Sequence, residues 1–535
     1  MRLANVFVVI MGSFLFYSAI TGAESESASD NISDSASNYS SGSNGSANSR
    51  LGKDRKLWWF VIKRTFMQDD SSLSVIRSAL IVFAARHGTS KSGVSTIGSR
   101  YLGTFFFTVD LDFSVDTRRF WDNYKEYLVS YGEVPYQVRP RKIKQHIQAK
   151  PHPGGRMGRR GLLRNETIPE MRSRPNIGSA HRADRRDLSA IRVFEEPFDE
   201  MKKLSQPPNV GLEDLKGLYF TRKDGEGEGV TVYVPDSGGL VGYLHTHKIL
   251  REVRVEDYIW AEPNPDDRIT DTYRNNFHGT AVISKIAGLR IGTAPKAGIV
   301  VVQCSNFRGE ITTAHYFSAL LKIYDHIRQY NPGKPVIINI SWTFDMIDPT
   351  NNAAAEIKEE HLPHRTSTNN IIQLYSYHLM GEFSKLKNVK IVGAAGNRSP
   401  GIELGFPQRH AQAFPYTMIL VGGTGLDDRN RFQRSGNMRI WAPGTHIHVA
   451  GFDESGEETF EIVSGSSFVA APTVTGIMAS MISHGIQMEN VVDLLYRLAH
   501  KRVPNGPPLV WNGINKWDWP SYKAQQERLE EYELP

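Results

Sequence analysis

The 535-residue sequence predicts an α/β protein: a large domain on a mostly parallel sheet with helices on both faces, preceded by a small α+β unit. Two observations predict the large domain. Short, continuously apolar runs recur after about residue 205, in VTVYVPDSG, GIVVVQC, PVIINISW, VKIVGAAGN and TMILVGGTG. Helix-like segments such as TAHYFSALLKIYDHIRQY and NNIIQLYSYHLMGEFSKL separate several of them. Strands buried on both faces read as unbroken apolar runs, and their alternation with helices marks parallel crossovers. The third observation concerns residues 57–140. There LWWFVIKR reads as a strand and SSLSVIRSALIVFAARHG as an amphipathic helix closed by Gly88. LGTFFFTVDLD follows as a strand, RRFWDNYKEYLVSYG as a helix and PYQVRP as a closing strand.

Composition narrows the function classes. The hydrophobic fraction of 40% is that of a globular protein, and the length leaves room for more than one folded unit. A net charge of +6 over this length is mild, so binding to nucleic acid would need a localised patch. Cys304 is the one cysteine, so no intramolecular disulfide forms.

The N-terminus carries a secretory signature. Met1-Arg2 is followed by the apolar LANVFVVIMGSFLFYSAIT, and Thr21-Gly22-Ala23 suits signal-peptidase cleavage. Residues 1–23 are therefore expected to be a signal peptide and the protein to be secreted. No later segment is apolar enough to span a bilayer, which takes about 20 residues. Residues 24–50 are Ser/Asn/Gly-rich and read as a disordered spacer, with sequons at Asn31, Asn38 and Asn44 that make a glycoprotein. Residues 51–140 form the small unit. The stretch 141–205 is basic and poor in apolar residues, with dibasic pairs Arg159-Arg160 and Arg185-Arg186. It lacks interleaved aromatics for base stacking, so it reads as a linker open to processing rather than a nucleic-acid arm. The large domain is expected at 206–515 and a tail at 516–535.

Within the large domain, four polar residues stand beside small residues at turns or helix starts. Asp236 ends the run VTVYVP before Ser237-Gly238-Gly239, where a carboxylate serves as a cap, a metal ligand or an orienter of another group. His278 opens the helix-like HGTAVISKIAG, as a base or as an ordinary first-turn residue. Asn397 ends VKIVGAAGN, as a turn residue or as an amide donor brought close by glycine. Ser467 lies in SGSSFVAAPTVTG, a nucleophile at a helix start or part of a closely packed small-residue helix. Acyl transfer by serine needs these four types: a hydroxyl, a base, a carboxylate holding the base's tautomer, and an oxyanion donor.

In the order Asp, His, Asn, Ser, these motifs resemble those of the subtilases, the subtilisin-like serine endopeptidases. VTVYVPDSGG is similar to that family's Asp motif, HGTAVISKIAG to its His motif, AAGN to its oxyanion block and SGSSFVAAPTVTG to its Ser motif. GTAPKAGIVVVQ, NISW, FPYTMILVGGTG and WAPGTHI match lesser blocks, so the resemblance spans roughly residues 195–515. It implies that Asp236 orients, His278 is the general base and then acid, Ser467 attacks, and Asn397 stabilises the oxyanion. It implies an N-terminal inhibitory prodomain of β-α-β-β-α-β order, and residues 57–140 have much of that alternation with one strand unplaced. Protein or peptide substrates would lie as an extended strand between Ser341-Trp342-Thr343 and the segment around Arg308-Gly309-Glu310. The chain would act as a monomer, without nucleic acid or membrane once the signal is cleaved. No cofactor is required for the chemistry; the resemblance allows structural calcium, and Asp266-Asp267 offers oxygens, but no ligands are assigned.

Three departures set a rival expectation, a non-catalytic subtilase-like binding protein with an altered groove. The family usually has three residues between nucleophile and proline, whereas Phe468, Val469, Ala470 and Ala471 precede Pro472 here. The extra residue must be absorbed in the first turn of the helix. Thr343 stands where a glycine is usual at the edge of the first specificity pocket, and Pro235 removes a strand N–H before Asp236. Asn397-Arg398-Ser399 is formally a sequon, expected to be unmodified because a glycan there would block the site.

Overall fold

The computed structural model describes most of residues 55–138 and 191–519; breaks that bear on the site are 240–246, 262–276, 306–310, 344–361, 398–403 and 466–468. The signal peptide, the Ser-rich spacer, most of the basic stretch, Asp266, Asp267, Arg308, Gly309, Glu310 and Ser467 lie outside the described residues.

The first unit is built from β1 (Arg55–Ile62), α1 (Asp70–Arg86), β2 (Ser95–Ser99), β3 (Gly103–Asp112), α2 (Arg118–Tyr124), β4 (Leu128–Glu133) and β5 (Tyr136–Val138). Asp69 caps α1 by accepting from Ser71 and Ser72, which satisfies two of the otherwise unpaired first-turn amides. The four longer strands form one antiparallel sheet in the order β2-β3-β1-β4. The unplaced strand is thus β2. The helix expected from Arg118 through Gly132 stops at Tyr124, and its second half is β4. Leu128, Ser130 and Tyr131 are buried against β1, and that cross-strand packing overrides a weak helical pattern.

The second unit begins with β6 (Ile191–Phe194), α3 (Asp199–Leu204) and β7 (Tyr219–Arg222). Residues 191–205, expected to be linker, belong to this body: β6 pairs with β7, and Met201 and Leu204 are buried in its core. The tail begins later than 516 as well, since Trp519 is buried with Ile514. Then follow β8 (Thr231–Asp236), β9 (Arg254–Trp260), α4 (His278–Ala287), β10 (Gly298–Gln303), β11 (Ile311–Thr312), α5 (Thr313–Tyr330), β12 (Val336–Ile340), α6 (Leu362–Ser384) and β13 (Val389–Ala394). The chain continues through β14 (Met418–Thr424), β15 (Asn430–Phe432), β16 (Ile440–Pro443), β17 (Ile447–Phe452), β18 (Glu458–Val463), α7 (Ala471–Ser483), α8 (Val491–Leu498), β19 (His500–Lys501) and β20 (Pro508–Leu509).

The main sheet runs β19-β20-β16-β14-β13-β12-β8-β10-β9, parallel from β20 to β9. Side chains alternate across it. Val232, Val234, Ile299 and Val301 face α4 and α7, while Tyr233, Val300 and Val302 face α5 and α6. The expected parallel sheet with helices on both faces is therefore present.

The small unit packs on the α5–α6 layer. Phe106 meets Phe317 edge-on at 5.7 Å, and Phe105 meets Tyr375 at 5.2 Å. Asp325 accepts from the Ser99 hydroxyl and from the Arg100 amide, and the Tyr375 hydroxyl donates to the Ile62 carbonyl. Strand β5 leaves its own sheet and pairs antiparallel with β11.

On the α6 side of the core, Ser376 Oγ and His410 Nε2 share a 2.6 Å hydrogen bond. Burial above all, and then the neighbouring Arg409, pushes His410 from 6.5 down to about 4. As pH falls, the unfolded chain takes up this proton first, so stability is lost from about pH 6.5 down to about pH 4 and levels below that. The expected loss is roughly 3 kcal/mol, read as urea unfolding free energy against pH, and His410→Gln should flatten this segment of the curve.

Candidate active site

Asp236 is the last residue of β8 and keeps the parity of Val232 and Val234, so its side chain turns toward the α4–α7 layer. It is 3% exposed. Its Oδ1 accepts the Ser237 amide at 2.7 Å and the Ser237 hydroxyl at 3.3 Å. The missing N–H of Pro235 costs no ladder bond to β12, because the pairing of β12 with β8 ends at Tyr233. The Pro235 carbonyl is taken instead by Trp342 Nε1 at 2.6 Å.

His278 is the first residue of α4, and Phe277 before it turns the chain with φ +48°. A Cβ at Gly279 would stand 1.9 Å from the Gly238 carbonyl oxygen, so only glycine lets the helix start come this close to the strand end. The Gly279 amide donates to Ser237 Oγ at 2.9 Å. Together these contacts bring His278 Nδ1 to 2.7 Å from Asp236 Oδ1. A carboxylate only accepts, so Nδ1 carries the proton and Nε2 is left as the acceptor. The His278 side chain remains 20% exposed.

Burial pushes the Cys304 thiol and the Tyr316 phenol well above their ordinary values, and the nearby Asp236 charge adds to both shifts. The Cys304 amide donates to the Asp236 carbonyl at 2.7 Å.

Asn397 follows β13 through Gly396, whose φ is +93°. Its side chain lies against Gly465: a Cβ built there would be 3.0 Å from Asn397 Oδ1. That glycine opens the Gly465-Ser466-Ser467 stretch, of which the two serines lie outside the described residues. Beyond them Val469 and Ala470 form a π-helical turn that leads into α7, with Pro472 in its first turn. A wide turn takes up one more residue than an α-helical one, at the place where the count to Pro472 runs long.

Ser341, Trp342 and Thr343 follow β12. Ser341 Oγ accepts from Asn339 Nδ2 at 2.8 Å, and Asn339 Oδ1 accepts from Thr475 on α7 at 2.9 Å. The indole of Trp342 is buried, stacked on Tyr316 at 3.5 Å, so this side chain builds the wall from behind. Thr343 Oγ1 is 3.5 Å from the Phe406 carbonyl. Sequence reasoning missed Ser237, Asn339 and Thr475. A polar residue inside the apolar run PVIINISW was the available signal for Asn339. Among the described residues, no group of three or more His, Cys, Asp or Glu side chains is placed to hold a metal ion.

The sequence description of the subtilase family matches residues 227–508, more than half of the chain. The chain belongs to the subtilase family of serine endopeptidases. It is 26% identical over 387 residues to subtilisin-like protease 1 of Trichophyton rubrum, covering 68% of this chain and 64% of that one. Subtilisin-like protease 7 of Arthroderma gypseum is 23% identical over 419 residues, covering 77% of this chain and 88% of the relative. The fold is similar to that of a cold-adapted subtilisin-like serine proteinase, with TM-score 0.42 and 21% identity, over 60% of this chain and 100% of that one. In this subtilase Gly279→Ala should lower unfolding free energy by about 3 kcal/mol or more, because the added carbon meets backbone rather than a movable side chain. Chemical denaturation of the variant beside the parent measures it.

Proposed function

We propose that the chain is a secreted serine endopeptidase, made as a zymogen, that hydrolyses peptide bonds in proteins through Asp236, His278 and Ser467. The observation that carries this reading is the 2.7 Å bond from His278 Nδ1 to Asp236 Oδ1 in a chain of the subtilase family. With Nδ1 so engaged, Nε2 takes the Ser467 proton as the hydroxyl attacks the scissile carbonyl. It returns the proton to the leaving amine, and water then hydrolyses the acyl-enzyme by the same steps. Asp236 accepts from Nδ1 throughout and stabilises the imidazolium. The Asn397 amide donates to the oxyanion, a position supported by its place against Gly465. No cofactor enters these steps. Substrate is an extended peptide strand held by Ser341, Trp342 and Thr343 on one side and Gly309 on the other, with Thr343 narrowing the first pocket.

Residues 51–140 act as the inhibitory prodomain. The pairing of Tyr136–Val138 with Ile311–Thr312 supports this, since it lays the prodomain's last strand next to the segment expected to hold substrate. Cleavage in the basic stretch, at sites such as Arg159-Arg160 or Arg185-Arg186, frees the groove. The apolar N-terminus, the sequons at Asn31, Asn38 and Asn44, and the resemblance to fungal subtilisin-like proteases support secretion as a glycosylated monomer.

A fluorophosphonate probe tests the chemistry. Processed wild-type protein should be labelled covalently and Ser467→Ala should not; labelling that survives the substitution ends the assignment of the nucleophile. The zymogen reading predicts that Asp325→Ala, which removes the acceptor for Ser99 and Arg100, speeds labelling of the unprocessed chain about fivefold. An unchanged rate would mean that the prodomain does not restrain the site.

A further inference from the structure

Gln303, the last residue of β10, lies beside Asp236 in parallel register and is fully buried. It ends an apolar strand, GIVVVQ, where an amide contributes nothing to packing that an apolar side chain would not. Burying it is unfavourable unless each polar atom finds a partner. Each atom does. Gln303 Oε1 accepts from the Tyr258 hydroxyl at 2.7 Å, and Gln303 Nε2 donates to Ser305 Oγ at 2.6 Å. Ser305 Oγ donates in turn to the Ser237 carbonyl at 3.0 Å. The direction of the chain is forced. A hydroxyl has one proton, the Ser237 carbonyl can only accept it, and so Ser305 Oγ must receive from the amide nitrogen. The donors therefore run one way, from Tyr258 through Gln303 and Ser305 to Ser237, an alignment in which each bond polarises the next.

Ser237 is where this chain meets the reacting groups. Its amide and hydroxyl both donate to Asp236 Oδ1, the oxygen that also holds His278, and its hydroxyl accepts from Gly279 at the start of α4. We propose that Gln303 is a positioning residue of the catalytic Asp–His pair, acting through Ser305 and Ser237, with Tyr258 as the outer anchor of the same chain. This rests on the triad reading above. Gln303 touches neither substrate nor the reacting atoms; it sets the place of Ser237, and Ser237 sets the rotamer of Asp236.

The test uses processed enzyme from the full-length chain, fluorophosphonate labelling and a peptide substrate. Gln303→Leu keeps the volume and removes the amide. Its limiting labelling rate and its kcat should fall about tenfold with KM unchanged, since a small displacement of a catalytic group affects the transition state rather than binding. Tyr258→Phe should cost less, about threefold. The low-field proton resonance of the imidazole shared with Asp236 should shift or broaden in both variants. Ser305→Ala, which cuts the chain at another link, serves if Gln303→Leu fails to fold. Folded variants with wild-type kcat and an unmoved resonance overturn the proposal. A lowered melting temperature with kcat unchanged overturns it too, by showing a structural role alone. Wild-type enzyme that is not labelled at Ser467 is a different result: it removes the triad reading itself.

Discussion

One carboxylate oxygen, Asp236 Oδ1, carries the bond to His278 and both bonds from Ser237, and the rest of the site is arranged around keeping that buried charge in place. A carboxylate taken out of water must be paired or fully hydrogen-bonded. Three structural conditions supply the partners of Oδ1, while Oδ2 has no hydrogen-bond partner among the described residues. The strand must end at Asp236, the α4 helix must begin within contact of it, and Gly279 must let the two backbones approach while Gly238 turns with φ +117°. The start of α4 also turns the positive end of its dipole toward the negative charge, and its Gly279 amide donates to Ser237 Oγ. Removing any one of these conditions takes away part of what compensates this buried anion.

The parallel sheet gathers the remaining groups. Every crossover returns the chain to the same edge, so the C-terminal ends of β8, β10, β12 and β13 line one rim. Asp236, Gln303, Ser341 and Asn397 all stand at those ends or just beyond them. The buried bridge from Thr475 through Asn339 to Ser341 ties this rim to α7, the helix entered from the Ser467 stretch. The small unit docks on the opposite layer through α5 and α6, yet reaches the rim through the pairing of β5 with β11.

Two of the three departures from the family's usual pattern are answered locally. Pro235 lies where β12 has already diverged, and Trp342 satisfies its carbonyl. The long spacing to Pro472 meets a π-helical turn at Val469–Ala470. Thr343 differs in kind, because its side chain adds bulk beside the Phe406 carbonyl and bears on pocket shape rather than on backbone pairing.

The sequence by itself determined the elements with strong local signals. The run TAHYFSALLKIYDHIRQY is α5 from end to end, and the apolar runs before Asp236 and Gly396-Asn397 are β8 and β13. Residue type also made Asp236 and His278 legible as a pair, since chemistry restricts which side chains can orient and carry a proton. What only the tertiary structure decided depends on partners far away in the chain. Leu128–Glu133 is a strand because β1 offers it a ladder, and Ile191–Phe194 joins the large body because β7 does. Trp342 faces inward because Tyr316 and the Pro235 carbonyl are there to receive it. Sequence reasoning passed over Gln303 inside the apolar run GIVVVQC; its link to Asp236 exists only once β9, β10 and β8 lie side by side. Local periodicity chooses the element, but the free energy of burial and pairing is realised between elements, and that chooses the contacts.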